Sequence, residues 1–303
     1  MKKYLLILGL AVAAVTAAGS ASAQSSATLD KIKSAGKIAI GTRDSSAPLA
    51  YTLGEGKYVG YHVDVCLKIA DAIRAALKMP NLPVEYTVVT SANRVPLVEN
   101  HTVDMECGST TNNEARAKKV DFAPTTYITN VRMAVRANSG ITSIAQLGGK
   151  TVVTTTGTTS VQLLRKNQKA HGVDFKELYG KDHADSFLLL ESGRADAFVM
   201  DDNILAGLIV NSKNPKDFKI VGESISEEPI AIMIPKNDPV YKKLVDDTVT
   251  GLMKSGELAK IYNKWFMSPI PPRNVSVDMP MSDALKDAVA HPNDKPAEAY
   301  KKS

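Results

Sequence analysis

The stretch KIAIGTRDSS at residues 37–46 decides the fold, because it joins an apolar run to a polar cluster. The run Ile38-Ala39-Ile40, which lies between Gly36 and Gly41, is typical of a buried strand. The cluster Thr42-Arg43-Asp44-Ser45-Ser46 follows at the carboxyl end of that strand. Small hydroxyl groups and an arginine at such a position indicate a site for an anion.

The same arrangement recurs twice downstream. VEYTVV at residues 84–89 precedes Thr90-Ser91-Ala92-Asn93-Arg94, and VDMECG at 103–108 precedes the run from Ser109 to Arg116. The resulting β-α-β-α-β order predicts an α/β sheet with helices on both faces and ligands at the carboxyl ends of the strands. The helices predicted between the strands cover residues 58–73 and 94–99.

A second unit begins near Asn130. Its turn Thr155-Thr156-Gly157-Thr158-Thr159-Ser160 follows a strand and opens a helix, which is another geometry that suits an anion. Asp201 and Asp202 end an apolar strand, so either aspartate could face a cleft while the other caps the next helix. The remaining strands are predicted at 131–135, 150–155, 219–221 and 230–234. Helices are predicted at 144–147, from Val161 onward, at 205–210 and at 240–262, the last with a break near 255–256. The end of the chain, residues 269–303, is expected to wrap the surface.

Both ends of the mature chain are expected in one lobe, with a second lobe inserted between them. In this interpretation residues 24–128 and 230–303 form the first lobe, and residues 129–229 form the second. The chain would cross between the lobes near 126–129 and 228–231, and two crossings make a hinge. A cleft between two lobes is a common place for a ligand.

Composition and the first residues indicate an exported globular protein. The 303 residues carry a net charge of +5 and are 44% hydrophobic, which excludes disordered and collagen-like chains. The lysines are scattered among acids, so no nucleic-acid partner is indicated. Lys2 and Lys3, the apolar run at 5–18 and Ala21-Ser22-Ala23 predict a signal peptide over residues 1–23. A membrane anchor is the alternative.

Cys66 and Cys107 are the two cysteines of the sequence. An exported protein reaches an oxidising compartment, so the pair predicts one structural disulfide. Two buried free thiols are the alternative. No C-x-x-C spacing indicates redox chemistry.

Motifs for catalysis are missing from the sequence. It contains no HExxH, GxSxG or GxxxxGK[ST] motif, and its five histidines show no metal-ligand spacing, so no catalytic residue, metal or cofactor is expected. Arg43, Arg94 and Arg116 follow three successive strands, which is more informative than any one of them, because a lone arginine is usually a surface residue. A lone histidine such as His183 is more often structural than functional.

Eight segments carry a resemblance to a known family: TLDKI at 28–32, ECGSTTNN at 106–113, KDH at 181–183, DSF at 185–187, LESGRA at 190–195, MDD at 200–202, KWF at 264–266 and PIPP at 269–272. They resemble the periplasmic amino-acid-binding proteins of polar amino-acid ABC importers, which are family 3 of the bacterial extracellular solute-binding proteins. The run GSTTNN is narrow to members that bind L-glutamate and L-aspartate. The resemblance covers nearly all of the mature chain.

The resemblance implies a two-lobed type II binding-protein fold, in which each lobe is a mixed sheet flanked by helices. It also implies a monomer in the periplasm that closes on L-glutamate or L-aspartate and delivers it to a membrane permease. The resemblance also implies a role for each candidate residue. Arg116, Thr111 and Thr159 would hold the α-carboxylate, and Ser109 and Asp201 would hold the α-ammonium. The side-chain carboxylate would be held by Arg43, Ser91, Arg94 and His183.

Other functions stay open at this point. A binder of another acidic or amide amino acid would share most of these residues. A periplasmic enzyme on the same fold, such as a dehydratase, would consume the ligand, whereas a binding protein returns it unchanged. A sensory protein would present the ligand to a membrane receptor.

Overall fold

The computed structural model describes residues 25–300, and the signal peptide predicted at residues 1–23 lies outside the described residues. The strands in the described part are β1 Ile38–Thr42, β2 Ser45–Ser46, β3 Ala50–Thr52, β4 Tyr58–Val59, β5 Val84–Val88, β6 Met105–Glu106, β7 Val120–Phe122, β8 Tyr127–Arg136, β9 Thr151–Thr155, β10 Lys176–Gly180, β11 Ala197–Asp201, β12 Phe218–Ile230 and β13 Met233–Pro235.

The α-helices are α1 Ala27–Ala35, α2 Tyr61–Leu77, α3 Arg94–Glu99, α4 Glu114–Ala117, α5 Thr159–His171, α6 His183–Glu191, α7 Asp202–Asn211, α8 Pro239–Lys254, α9 Glu257–Tyr262 and α10 Asp283–Ala290. Short 3-10 segments cover Ile144–Leu147, Pro215–Asp217 and Ala297–Tyr300, and a π-helical turn covers Asn263–Met267. Within residues 25–300, no helix combines the length and the apolar composition that a membrane span requires.

The first sheet has the strand order β5-β1-β6-β13-β7. Strands β5, β1 and β6 are parallel, while β13 runs antiparallel to β6 and β7. Helix α2 belongs to the same core through its buried residues Val65, Ile69 and Ile73, which the helical period places on one face. We call this sheet with its helices the first lobe. Its three parallel strands end at the same edge, so the polar clusters that follow them meet there.

The second sheet has the order β10-β9-β11-β8-β12, and with its helices we call it the second lobe. Strands β10, β9 and β11 are parallel, and β8 is antiparallel to its neighbours β11 and β12. Alternate residues serve two cores, because Val152 and Val199 pack on one face while Val153 and Phe198 pack on the other. This period of two is typical of a sheet covered on both faces.

Strands β8 and β12 connect the two lobes as an antiparallel ribbon in which Thr129 lies opposite Glu228. Ile128 and Ile230 belong to the core of the first lobe, whereas Val131 belongs to a core of the second. The ribbon therefore passes from one core to the other within a few residues, and its short middle is where a rotation of the lobes would be absorbed.

Cys66 and Cys107 form a disulfide, as predicted. The bridge joins helix α2 to the residue that follows β6. Both cysteines are buried. The link therefore fixes the start of the loop that carries Ser109 and Thr111 toward the second lobe.

The two-lobed α/β architecture with mixed sheets is confirmed, but several bounds differ from the predictions. The strand predicted over 230–234 is divided, because β12 ends at Ile230 in the second sheet and β13 begins at Met233 in the first. The strand predicted over 219–221 is part of the 13-residue β12. The strand predicted over 103–108 is shorter, although the N–H groups of Asp104 and Cys107 still donate to β1. The small antiparallel sheet β2-β3-β4, strand β10 and helix α10 were not predicted.

Candidate ligand-binding site

A small cavity between the two lobes is lined by residues of both. Seven of the nine predicted binding residues line it; the full lining is Ser91, Arg94, Ser109, Thr111, Thr158, Thr159, His183, Met200 and Asp201. Thr158 and Met200 also line the cavity, although neither was predicted as a binding residue.

Arg94 reaches the cavity because a tight turn follows strand β5. The Thr90 N–H donates to Oδ1 of Asn93 at 2.7 Å, and the Asn93 N–H donates to Oγ1 of Thr90 at 3.3 Å. This turn makes Arg94 the first residue of α3 and places Ser91 beside the cavity. Arg94 is 2% exposed, and neither its Nε and Nη1 nor the Ser91 Oγ has a hydrogen-bond partner among the described residues.

His183 enters the cavity from the second lobe as the first residue of α6. Its Nδ1 lies 3.0 Å from Oγ1 of Thr155, and its buried Nε2 has no partner within residues 25–300. Burial, with Arg43 and Arg94 nearby, lowers the pKa of His183 to about 3. The ring is therefore neutral near pH 7, and its Nε2 is a buried polar atom at the cavity that a ligand can pair with.

Arg43 is fully buried beside the cavity rather than on its wall. Its Nη1 lies 3.5 Å from Oγ of Ser109, and its Nη2 donates to Oδ1 of Asp182 in the second lobe. Ser45 donates to the other Asp182 oxygen at 2.5 Å and accepts from the Ala184 N–H at 3.1 Å. Burial alone would raise the pKa of Asp182, but the positive charge of Arg43 and the hydrogen bonds from Ser45 and Arg43 lower it to about 2.

Asp182 and Ser45 were missed as site residues, although both lie in segments that the sequence analysis quoted. Asp182 precedes α6 and satisfies the capping pattern, since its side chain accepts from the third helical residue while Asp185 reaches back. A capping residue has a sufficient structural explanation, so sequence offers no sign that it also pairs with the opposite lobe.

Arg116 lies behind Thr111 and does not line the cavity. Its Nη1 donates to the Thr111 carbonyl at 2.8 Å, and its Nη2 lies 3.4 Å from the carbonyl of Gly157 in the second lobe. Burial lowers the pKa of Arg116, while Glu228 and other nearby carboxylates oppose that shift. Burial and the positive charges of Arg116 and Arg43 lower the pKa of Arg94 to about 9. The three arginines therefore form one electrostatic cluster.

The two neighbouring aspartates at the start of α7 have different surroundings. Asp201 is 4% exposed and lines the cavity, and burial together with Glu228 and Asp202 raises its pKa well above the ordinary value. Asp202 instead accepts from Thr129 Oγ1 at 3.1 Å and from the Asn130 N–H at 3.3 Å, both on β8. Of the pair, Asp201 therefore faces the ligand position, and Asp202 fastens α7 to the ribbon.

Two glutamates beside the cavity were also missed. Glu228 is 3% exposed, and its Oε2 accepts from Thr111 Oγ1 at 2.7 Å and from Thr159 Oγ1 at 2.8 Å. Glu106 is fully buried and accepts from Thr110 Oγ1 at 2.6 Å. Glu228 stands in no quoted segment, and Glu106 opens the ECGSTTNN segment without a predicted role, so the folded chain is what places both beside the cavity. The charge near the cavity is therefore more evenly balanced than three arginines and one aspartate would suggest.

The lobes also meet directly through two glycines. A Cβ on Gly157, whose φ is +81°, would lie 2.7 Å from the backbone of Ala92 in the first lobe. A Cβ on Gly207 in α7 would lie 2.2 Å from the carbonyl oxygen of Ala47. These contacts bring the backbones of the two lobes together, which indicates a closed arrangement of the lobes.

The cavity has two chemically distinct ends. We call Ser91, Arg94 and His183 the donor end, because Arg94 presents two buried N–H donors there and Ser91 Oγ and His183 Nε2 add buried polar atoms, all without a partner in the described structure. We call Thr111, Thr159, Asp201 and Glu228 the acidic end, because two carboxylates and two hydroxyls meet there. A buried charge is costly unless it is paired. The arrangement therefore fits a small molecule with an anionic group at one end and a cationic group at the other.

Comparisons with known proteins agree with this geometry. The family described as bacterial extracellular solute-binding proteins, family 3, matches residues 38–268. An L-glutamate/L-aspartate-binding protein from Pseudomonas aeruginosa is 44% identical over 95% of this chain and 95% of its own length. A glutamate/aspartate import solute-binding protein from Escherichia coli is 43% identical over 95% of this chain and 96% of its own length. The crystal structure of a cysteine-binding protein from Campylobacter jejuni superposes with a TM-score of 0.71 at 26% identity, over 83% of this chain and 97% of its own.

Proposed function

This chain belongs to the bacterial extracellular solute-binding proteins of family 3, and from that membership we propose that it binds L-glutamate and L-aspartate for an ABC importer. Relatives that carry this function in their names match nearly its full length at 43–44% identity. The protein acts in the periplasm as a monomer, captures the amino acid in the inter-lobe cavity and delivers it to the membrane permease without altering it.

The single observation that carries the proposed ligand class is the donor end of the cavity. The Arg94 guanidinium is buried with Nε and Nη1 unpaired in the described residues, and the Ser91 hydroxyl and the His183 Nε2 share this condition. A carboxylate accepts several hydrogen bonds at once and matches the planar fork of arginine. The side-chain carboxylate of glutamate or aspartate therefore belongs at the donor end.

The amide of glutamine is a poorer fit to the same end. Its NH₂ group would face Arg94 donors with a donor, and its neutral oxygen would leave the guanidinium charge uncompensated. A site that is built to bond one group discriminates strongly against an analogue that leaves its polar atoms unpaired. The donor end therefore selects acidic over amide side chains, even though Glu106, Asp182 and Glu228 balance part of the positive charge nearby.

The α-carboxylate and α-ammonium occupy the opposite part of the cavity. Arg116 supplies positive charge behind Thr111, and Thr159 opens helix α5, whose first N–H groups have no partner within the helix. Asp201 supplies the negative charge for the ammonium, with Ser109 beside it. Arg43 supports the site from behind the cavity wall, because its Nη2 already donates to Asp182.

Ligand capture proceeds by closure of the two lobes about β8 and β12, which we propose as the hinge. The crossings at 126–129 and 228–231, and the lobes at 24–128 with 230–303 and at 129–229, are part of this proposal. A ligand that touches both lobes favours the closed state, and moving an equilibrium from 1:99 to 99:1 needs about 5.5 kcal/mol of differential binding. Hydrogen bonds to charged groups are worth roughly 1.5–3 kcal/mol each, so a few of them are sufficient.

A panel of amino acids tested by thermal shift examines the proposal. A ligand that binds the folded chain raises its apparent melting temperature. L-glutamate and L-aspartate should raise it, whereas L-glutamine, L-arginine and L-cysteine should not at the same concentration. No shift with either acidic amino acid would remove the proposal. Recovery of unchanged ligand after denaturation separates a binding protein from an enzyme on the same fold.

A further inference from the structure

Glu228 is a buried residue to which the binding mechanism above gives no role. It lies on β12 next to Pro229, whose carbonyl accepts from the Asn112 N–H at 2.9 Å. Its side chain lies behind the cavity wall rather than on it, and it is 3% exposed. A buried carboxylate needs compensating partners, so the identity of those partners indicates what the residue does.

The two partners of Glu228 come from opposite lobes and meet at one atom. Its Oε2 accepts from Oγ1 of Thr111, in a first-lobe loop, at 2.7 Å, and from Oγ1 of Thr159, at the start of α5 in the second lobe, at 2.8 Å. Both threonines line the cavity. A carboxylate oxygen on the connecting ribbon thus holds one cavity-lining hydroxyl from each lobe.

The single hydrogen on each threonine hydroxyl limits what the group can offer a ligand. Each hydroxyl carries one hydrogen and two lone pairs. An ionised Glu228 carries no hydrogen, so both threonine hydroxyls must donate their hydrogens to Oε2. Even a protonated Glu228 could donate from that oxygen to only one of them. At least one threonine oxygen, and both when Glu228 is ionised, therefore presents only lone pairs to the cavity.

We propose that Glu228 is a positioning residue that turns the hydroxyl oxygens of Thr111 and Thr159 into acceptors for the ammonium group of the ligand. This inference rests on the proposed function and sharpens it. The threonine hydroxyls then serve the ammonium together with Asp201, and the α-carboxylate is left to Arg116 and backbone N–H groups. The acidic end consequently requires the ammonium and rejects dicarboxylates that lack it.

Glu228 also contributes its charge to this selection. Glu228 is the nearby charge with the largest effect in raising the pKa of Asp201, and it opposes the lowering of the Arg116 pKa by burial. The three groups therefore lie within electrostatic range of one another. A ligand ammonium relieves the repulsion between the two carboxylates, whereas a second carboxylate without an ammonium would add to it.

The test compares L-glutamate with glutarate, which is the same dicarboxylate without the ammonium, in competition with labelled L-glutamate. Glu228→Gln removes the charge and replaces one carboxylate oxygen with an NH₂ group, which cannot accept from a threonine hydroxyl. Glu227→Gln is the matched control, because Glu227 is the adjacent residue on β12 and its side chain makes no hydrogen bond among the described residues. Glu228→Gln should weaken L-glutamate binding tenfold or more and leave glutarate unchanged or tighter, while Glu227→Gln changes neither.

Equal losses for both ligands in Glu228→Gln would mean that the residue only supports closure, and the inference would be wrong. No loss for either ligand would also overturn it. Failure of the wild-type chain to bind L-glutamate would remove the proposed function itself, which is a different result. Should Glu228→Gln not fold, Thr159→Val and Thr159→Ser serve instead: the valine variant should lose L-glutamate but not glutarate, and the serine variant should retain both. Equal behaviour of the two variants would contradict the inference.

Discussion

The donor end and the acidic end of the cavity differ in how far the protein has already satisfied its own polar groups. At the donor end, Arg94 Nε and Nη1, Ser91 Oγ and His183 Nε2 have no acceptor among the described residues. At the acidic end, the hydroxyls of Thr111 and Thr159 are both engaged by Glu228. The donor end therefore depends on the ligand to complete its hydrogen bonds, whereas the polar groups of the acidic end bond one another in the closed arrangement.

This difference assigns the two ends different tasks. Groups that only the correct ligand can satisfy give selectivity, because a wrong side chain leaves them buried and unpaired. Groups that the protein itself holds in place in the closed state give affinity, because the ligand does not have to order them. We therefore expect substitutions at the donor end to change which amino acid binds, and substitutions at the lobe contacts to change how tightly every amino acid binds.

The largest effect is expected from Arg94→Met, which keeps the apolar stem and removes the guanidinium. L-glutamate should bind at least about 100-fold more weakly, since removing one partner of a buried charge pair costs roughly 2–5 kcal/mol. L-glutamine should lose little or gain, because no carboxylate is required to neutralise the site. Calorimetric titration with each ligand measures the ratio of their dissociation constants. Equal losses for glutamate and glutamine would show that Arg94 does not read the side chain.

A smaller effect is expected from Gly157→Ala, which acts on closure. The added Cβ would meet the Ala92 backbone of the other lobe at 2.7 Å, so the lobes cannot approach fully. Affinity for both acidic amino acids should fall together by about tenfold or more. Gly172→Ala is the matched control, because Gly172 also has a positive φ (+61°) but no atom lies within 4 Å of its added Cβ. If both variants bind like the wild type, the Gly157 contact does not limit closure.

Asp182→Asn tests the contact that joins the lobes beside the donor end. The change removes the charge opposite Arg43 while keeping a group that Ser45 can bond. We expect roughly tenfold weaker binding of L-glutamate and L-aspartate alike, with an increased dissociation rate, because the closed state loses an ion pair. Stopped-flow fluorescence of the single tryptophan, Trp265, follows the rates. A change in the ratio of glutamate affinity to aspartate affinity would instead show that Asp182 takes part in recognising the ligand side chain.

The smallest effect on ligand binding is expected at His62, which lies outside the cavity and acts on stability at acid pH instead. Its Nδ1–H donates to the Gly108 carbonyl, and its Nε2 lies 2.9 Å from Thr126 Oγ1 near the ribbon. Burial lowers the pKa of His62 to about 4, against an ordinary value near 6.5. Between these values the unfolded chain binds one more proton, so acidification destabilises the fold by up to roughly 1.4 kcal/mol per pH unit.

His62→Gln should therefore show a shallower fall in the free energy of unfolding between pH 6.5 and pH 4 than the wild-type chain. Urea unfolding at several pH values measures the slope. His171→Gln, a change at an exposed histidine, is the control and should keep the wild-type slope. A wild-type slope in His62→Gln would contradict the assignment of a buried neutral ring.

Sequence predicted the parts of the fold that a strong local pattern encodes. Helix α3 has the predicted bounds, because the turn at Thr90–Asn93 defines its start and Asn100 its end. Strand β10 was missed because its sequence, KELYG, has neither an apolar run nor a clear alternation, as suits its position at the edge of the second sheet. Strands β2, β3 and β4 are two or three residues long, which is too short for a period to be visible.

The candidate site likewise contains residues that local sequence reveals and residues that only the folded chain reveals. Arg94 and Asp201 could be named from sequence because each follows an apolar strand, where chain direction places a side chain at the edge of the sheet. Glu228 and Asp182 could not, because their importance arises from contacts between distant segments. Glu228 bonds residues 117 and 69 positions away in the chain, and Asp182 pairs with a residue 139 positions away. Such contacts depend on the closed arrangement of the lobes rather than on local sequence.

Calorimetric titration of the mature wild-type chain with L-glutamate, followed by the same titration with L-glutamine, tests most directly whether the donor end reads an acidic side chain. The account predicts one L-glutamate bound per chain, and binding of L-glutamine at least about 100-fold weaker. Equal affinity for the two ligands, or no heat with L-glutamate, would contradict it.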